Sequence, residues 1–242
     1  MIQEARISEL QRLVTSQTGE NDRALYHLLK RCVDVFGAGL LLIVLSPVLA
    51  LIAILIKLDS PGPVIFKQER VGARRRTNVG VANWEIHHFR MFKFRSMVHN
   101  ADQSAHQAYI KAFAEGRIEQ GASGAKFKMT KDRRVTRVGQ ILRRTSLDEL
   151  PQLVNVLRGE MSLVGPRPVP TYEVAKYQDW HYERLAALPG MTGFWQVRGR
   201  SQVSFDDMIA MDIEYVRTRS LQLDIMILLL TIPAVLSGQG AQ

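Results

Sequence analysis

The run VFGAGLLLIVLSPVLALIAILI, from Val35 to Ile56, contains no charged residue and limits what this chain can fold into. Its length is close to the roughly 20 residues that cross a hydrocarbon core. A secretory signal fits poorly, because the run is long, starts late and is not followed by a small-residue cleavage site. A wholly buried soluble helix is the weaker reading on length and composition. The run is expected to meet a membrane.

Ser46 and Pro47 stand at its centre. Proline removes a backbone donor and clashes with the preceding turn, so a kink or break is expected there. The serine hydroxyl can satisfy one freed backbone group. Lys30 and Arg31 precede the run, and Lys57, Lys67, Arg70 and Arg74 to Arg76 follow it. Positive flanks mark the cytoplasmic side, and both flanks are positive. A helix–break–helix hairpin satisfies that rule better than a straight span. Proline kinks also occur in true spans, so the residues alone leave both open.

The formal net charge of +9 points to anionic partners: phosphorylated substrates, acidic lipid headgroups or nucleic acid. Nucleic acid ranks low, because no recognition fold appears and the membrane run already gives the charge a use. The single cysteine, Cys32, excludes an internal disulfide framework. No GxGxxG or GxxxxGK[ST] phosphate loop is present, which argues against Rossmann and P-loop enzymes.

Periodicity predicts a mixed α+β domain, mainly helical with short β-hairpins and without alternating βαβ units. A strand is expected over Val64 to Arg70. A second follows in WEIHHFRMFKFRSM, where Trp84, Ile86, His88, Phe92 and Phe94 alternate with polar neighbours, and the two could pair. Arg74 to Arg76 reads as a solvated turn that could also contact anionic lipid. Helices are expected in ADQSAHQAYIKAFAEG, RVGQILRR, DELPQLVNVLRG and WHYERLAALPG, and in SFDDMIAMDIEYVRTR with a serine cap. SLVGPRPVP reads as a stiff extended loop, and TGFWQVRGR as a short strand or hairpin. The apolar tail Leu223 to Leu236 is too short to span and should pack inward or lie in the interface. Three regions result: a polar lead-in over 1–25, a membrane hairpin over 26–58, and a catalytic domain with interfacial amphipathic helices over 59–242.

Within TSLDELPQL, Asp148 and Glu149 sit side by side behind Arg143 and Arg144. Ser146-x-x-Glu149 reads first as a capping box, with Asp148 complementing the helix dipole. The same geometry suits chemistry. A helix N-terminus favours anions and keeps an aspartate ionised, as a carboxylate nucleophile requires. The arginines could neutralise a diphosphate, and a carboxylate could share a divalent cation with it. The six histidines show no zinc-ligand spacing.

Five strings in fixed order carry a resemblance: KRCVDVFGAGLLLIVLSPVLALIAILIKLDSPGPVIFKQERVG, FKFRSM, TRVGQILRRTSLDELPQLVNVLRGEMSLVGPRP, LPGMTGFWQVRGR and MDIEYVRTRSLQLDI. From about Lys30 onward the chain resembles the bacterial sugar transferase family, the monotopic polyprenol-phosphate phosphoglycosyl transferases. The resemblance implies transfer of a sugar phosphate from a UDP-sugar to polyprenyl phosphate, normally undecaprenyl phosphate, with release of UMP. It implies the cytoplasmic face of the bacterial inner membrane and leaves a homo-oligomer open. Asp148 matches the nucleophile that forms a covalent phosphosugar intermediate, with Mg2+ close to it as cofactor. Glu149 matches the second member of the dyad, serving the metal or activating the acceptor. Arg143 and Arg167 are the expected phosphate contacts, with Lys93 and Arg95 behind them. Ser46 and Pro47 match the break of a re-entrant helix, and Lys30 and Arg31 its interfacial basic pair.

The stretch from Ala101 to about 130 looks like an insertion relative to short members, and the polar lead-in marks a small, catalytic-domain form. Two rivals stand beside this reading: a membrane-anchored scaffold of the same fold without catalysis, and a basic nucleic-acid binder.

Overall fold

The structure, a computed structural model, describes residues 24–78, 81–102, 104–115, 132–198 and 203–236. Residues 1–23 of the lead-in and 116–131 of the apparent insertion lie outside the described residues.

The apolar run forms two helices, α1 (Ala24–Val44) and α2 (Ser46–Asp59). Among the described residues no single helix is long and apolar enough to cross a membrane; α1 and α2 qualify only together, bent by 62°. The bend lies where the sequence places it. Pro47 falls in the first turn of α2, where its missing N–H costs nothing. The Ser46 hydroxyl donates to the Ile43 carbonyl at 2.8 Å. The outer faces carry Phe36, Leu40, Ile43, Ile54 and Leu58, all exposed.

The inner faces anchor the pair. Ile52 and Ile56 pack with Phe94 and Leu142, worth about 2 kcal/mol each by area removed from water. Gly37 lets α1 approach β3 closely, since a Cβ there would lie 2.9 Å from Leu163 Cδ1. Asp34 accepts from the Leu163 N–H at 2.9 Å and the Ser162 hydroxyl at 3.0 Å. The Lys30–Arg31 pair, read as interfacial, makes protein contacts. Lys30 is buried and donates to Asp224 at 2.8 Å. Arg31 donates to the Val156 and Leu157 carbonyls at 2.6 and 2.7 Å. Those carbonyls lie at the end of a helix, and that of Val156 also accepts from the Gly159 N–H at 3.0 Å.

β1 (Ile65–Asn78) and β2 (Val81–Phe94) form one antiparallel hairpin, in register from Ile65↔Phe94 to Asn78↔Val81. It is longer than expected and absorbs Arg74 to Arg76, which are strand rather than turn. The alternation read through Trp84, Ile86 and His88 does not define one buried face. His88 is exposed against Glu69 at 3.1 Å, whereas Phe89 and Met91, of the other parity, are core residues with Trp84. A twisted two-stranded ribbon packed on both sides need not keep one parity inward.

α3 (Ser104–Ala114), α4 (Arg137–Arg144) and α5 (Gln152–Leu157) follow. β3 (Ser162–Val164) pairs in parallel with β4 (Gly190–Thr192). Between them lie the short α6 (Thr171–Val174) and a 3-10 turn, Asp179–Leu185, where an α-helix was expected. Gln178 and His181 cap the start of that turn reciprocally. TGFWQVRGR is not a hairpin: beyond β4 it forms α7 (Phe194–Arg198). α8 (Phe205–Thr218) carries its serine cap, Ser204 accepting from the Asp207 N–H at 3.1 Å. α9 (Leu221–Leu236) buries Ile227 and exposes Ile225, Leu229 and Ile232. The fold is mixed helix and sheet, mostly helical.

Candidate active site

Asp148 and Glu149 lie in a 3-10 turn, Leu147–Glu149, wedged between α4 and α5. The capping box does not form. Ser146 is left-handed (φ 56°, ψ 14°) and makes no side-chain cap bond. A non-glycine residue in that region is uncommon and strained. Glu149 meets Lys93 of β2 instead, at 2.7 Å. Asp148 is buried. Pro151 sits at the cap of α5, so the expected single helix from Asp148 onward starts only at Gln152.

The cations come from β1, β2, α4 and the loops that follow β2 and β3. Arg143 ends α4, whose start is fixed by the Thr136 side chain accepting from the Gly139 N–H at 3.0 Å. Gly139 lies against the chain after β2, since a Cβ there would fall 2.0 Å from the Ser96 carbonyl oxygen. Arg143, Arg167, Lys93 and Arg95 all line one cavity of about 620 Å3, together with Lys67, Arg70 and Tyr172. A small cleft beside it is lined by Glu149, Lys93, Arg70 and Arg167. The cleft and the cavity share the three cations, which places Glu149 at the cavity's inner edge. Asp148 lines neither space.

Arg95, read as a phosphate contact, is committed to the backbone. It is buried and donates to the carbonyls of Pro61, Ile56 (3.3 Å) and Ser60 (2.7 Å). It caps the C-terminal end of α2, where unsatisfied carbonyls and the helix dipole both favour a cation.

Arg167 is positioned through its main chain. The Asp212 carboxylate accepts from the Arg167 N–H, and Arg184 donates to the Arg167 carbonyl at 3.4 Å. Arg184 also pairs with Asp212, lies 3.6 Å from Glu173 and donates to the Tyr177 hydroxyl at 2.6 Å. All four side chains are buried. Burial pushes the Glu173 carboxyl up, and the arginines Arg184, Arg70 and Arg167 pull it back.

Sequence reasoning missed Arg70. It is buried on β1 and donates to the Pro168 carbonyl at 3.2 Å and to Gln68 at 2.6 Å. Burial first, and then neighbouring Arg167, push it down to about 10. Its signal was faint: a charged residue two positions from Gln68 and Gly72 in a strand.

Among the described residues no group of three or more His, Cys, Asp or Glu side chains comes together. The adjacent Asp148 and Glu149 therefore make no all-protein metal cage. They fit a cation that takes one or two carboxylates and completes its shell with phosphate oxygens and water, as Mg2+ does.

Residues 25–238 match the family model described as bacterial sugar transferase. The chain belongs to that family. An exopolysaccharide production protein, ExoY, of Sinorhizobium fredii is 39% identical over 88% of this chain and 87% of its own length. A UDP-glucose:undecaprenyl-phosphate glucose-1-phosphate transferase of Caulobacter vibrioides is 40% identical over 92% of this chain and 75% of its own length. An undecaprenyl-phosphate galactose phosphotransferase of Salmonella typhimurium is 39% identical over 88% of this chain, which spans only 41% of that protein.

Proposed function

We propose that this bacterial sugar transferase moves a sugar 1-phosphate from a UDP-sugar to a polyprenyl phosphate such as undecaprenyl phosphate, releasing UMP. The observation that carries the reading is Glu149 held by Lys93 at 2.7 Å, beside Asp148, where Arg70 and Arg167 border the cavity. Two sugar-phosphate transferases among the relatives support the substrate class.

An Asp148 carboxylate oxygen attacks the phosphorus that bears the sugar. The bond from that phosphorus to the bridging oxygen breaks, and UMP leaves with the electron pair. A phosphate oxygen of the polyprenyl acceptor then attacks the same phosphorus. The bond to Asp148 breaks, the carboxylate is restored and the product is a polyprenyl diphosphate sugar. Arg70, Arg143 and Arg167 hold the diphosphate and stabilise charge as it builds. Lys93 fixes Glu149 beside the nucleophile, where Glu149 serves either the cation or the acceptor. Asp148 would hold Mg2+, which would supply Lewis-acid stabilisation of the phosphoryl oxygens.

The α1–α2 pair acts as a re-entrant hairpin over 26–58, entering one leaflet from the cytoplasmic face of the inner membrane and returning. The domain over 59–242 carries the chemistry. A dyad next to such an anchor reaches both a soluble donor and a lipid phosphate. UMP release by detergent-solubilised protein, with Mg2+ and undecaprenyl phosphate across a panel of UDP-sugars, tests the reading. Release with one or two donors, abolished in Asp148→Asn, is expected; equal release by the folded variant would refute the assignment of the nucleophile.

A further inference from the structure

The large cavity is lined by basic, apolar and other polar side chains, the last including Gln68, Ser96, Asn100 and Asp132. Lys67, Lys93, Arg70, Arg143 and Arg167 make a cationic side. Pro63, Ile65, Phe66, Phe94, Met97 and Val98 make an apolar side. The apolar wall is continuous with the packing of the membrane hairpin: Phe94 and Ile65 also belong to the cluster that buries Ile52 and Ile56 of α2. It is also open. Phe66 is 38% exposed and Val98 47%, and Leu58, in the last turn of α2, is 80% exposed.

We propose that this wall is the docking groove for the lipid acceptor, receiving the phosphate-proximal isoprene units while the phosphate meets the cationic side. The inference rests on the transferase reading above. A polyprenyl phosphate is an anion joined to a branched apolar chain, and the two walls match those halves in one cavity of about 620 Å3. A nucleobase needs hydrogen-bonding groups around its edges, which Gln68, Ser96, His99 and Asn100 elsewhere in the cavity could offer but these six side chains do not. The route is direct. An acceptor would enter past the exposed Phe66 and Val98 towards Lys93 and Arg167, which the cavity shares with the cleft lined by Glu149. Burying isoprene methyls against an exposed wall stabilises the complex in proportion to the area covered. The same cations would serve the donor's diphosphate and the acceptor's phosphate in turn, as a two-step exchange at one phosphorus requires.

Phe66→Ser and Val98→Ser test this, since both side chains are half-exposed and their loss empties no core. Steady-state kinetics on full-length protein would vary a UDP-sugar that the wild type accepts against undecaprenyl phosphate. The KM for undecaprenyl phosphate should rise about tenfold in each variant, the shift expected for ~1.4 kcal/mol, with the KM for the UDP-sugar moving less than twofold. A second measurement uses farnesyl phosphate against methyl phosphate as acceptor. The wild type should prefer the prenyl compound, and Phe66→Ser should lose most of that preference. A rise confined to the donor KM would assign the wall to the nucleoside and overturn the proposal. Unchanged constants for both substrates would overturn it as well. A wild-type protein releasing no UMP from any donor would instead refute the transferase reading, and the groove with it.

Discussion

Arg184 and Asp212 form an ion pair with both side chains fully out of solvent, and through it the protein fixes the main chain of Arg167. Neither residue lines the cavity. The pair makes the loop from Gly165 to Pro168 rigid from behind, so that one arginine can face a cavity without collapsing onto its neighbours. Removing one partner leaves the other charged and buried. Arg184→Met should cost about 3–5 kcal/mol of stability, read by denaturant unfolding in detergent, and Arg184→Met/Asp212→Asn should recover part of it.

Lys93 and Glu149 should behave as one unit. Lys93→Met should lower kcat/KM by about 100-fold or more, the scale found when a preorganised charge is lost at a reacting centre. Lys93→Met/Glu149→Gln should cost less than the product of the single effects, because the two share one contact. A double variant whose losses simply multiply would show that the 2.7 Å pair has no role in activity.

Arg95 should report on the fold and not on the donor. Arg95→Lys keeps the charge but loses the planar fork whose two terminal nitrogens reach separate carbonyls, and about 2–3 kcal/mol of stability should be lost. The KM for UDP-sugar should stay within twofold at a temperature where the variant is folded. A large rise in that constant would return Arg95 to the phosphate contacts.

His181 should make stability depend on pH. Burial holds its imidazole below the ordinary 6.5, with Asp206 opposing and Arg184 adding to the depression. Its Nδ1 accepts from the Gln178 N–H at 3.1 Å, so a second proton would set one N–H against another. For a group whose folded value is depressed, the contribution is present above the ordinary value and is lost as pH falls through the folded one. Unfolding midpoints should therefore drop from pH 7 towards pH 5, and His181→Gln should flatten that slope.

The apolar run, its break at Ser46–Pro47, the hairpin pairing and the capped helix after Ser204 were legible because each is set by local pattern. Four of the expected site residues, Lys93, Arg95, Arg143 and Arg167, do line one cavity. What the sequence hid was the direction of individual charges. Lys30, Arg31 and Arg95 carry basic side chains beside an apolar run, the usual mark of an interface, yet all three are spent on internal acceptors more than 30 positions away. Arg70 was hidden for the converse reason: strand alternation does not tell a solvated arginine from one facing a cavity. Ser146 shows a third limit. Ser-x-x-Glu satisfies the capping pattern, but Pro151 and the tight turn before it redirect the chain, and Lys93 takes the glutamate.

The Lys30–Asp224 contact links positions 194 residues apart in the sequence. A ribosome delivers α1 and α2 long before α9. Both helices are therefore made while Lys30, and Tyr26 one turn earlier, still wait for the carboxylate they will share. The bond that fastens anchor to domain is thus among the last to form. Mistimed or prematurely ended synthesis would leave the helix pair carrying an unmet charge, a marker by which unfinished molecules differ from complete ones.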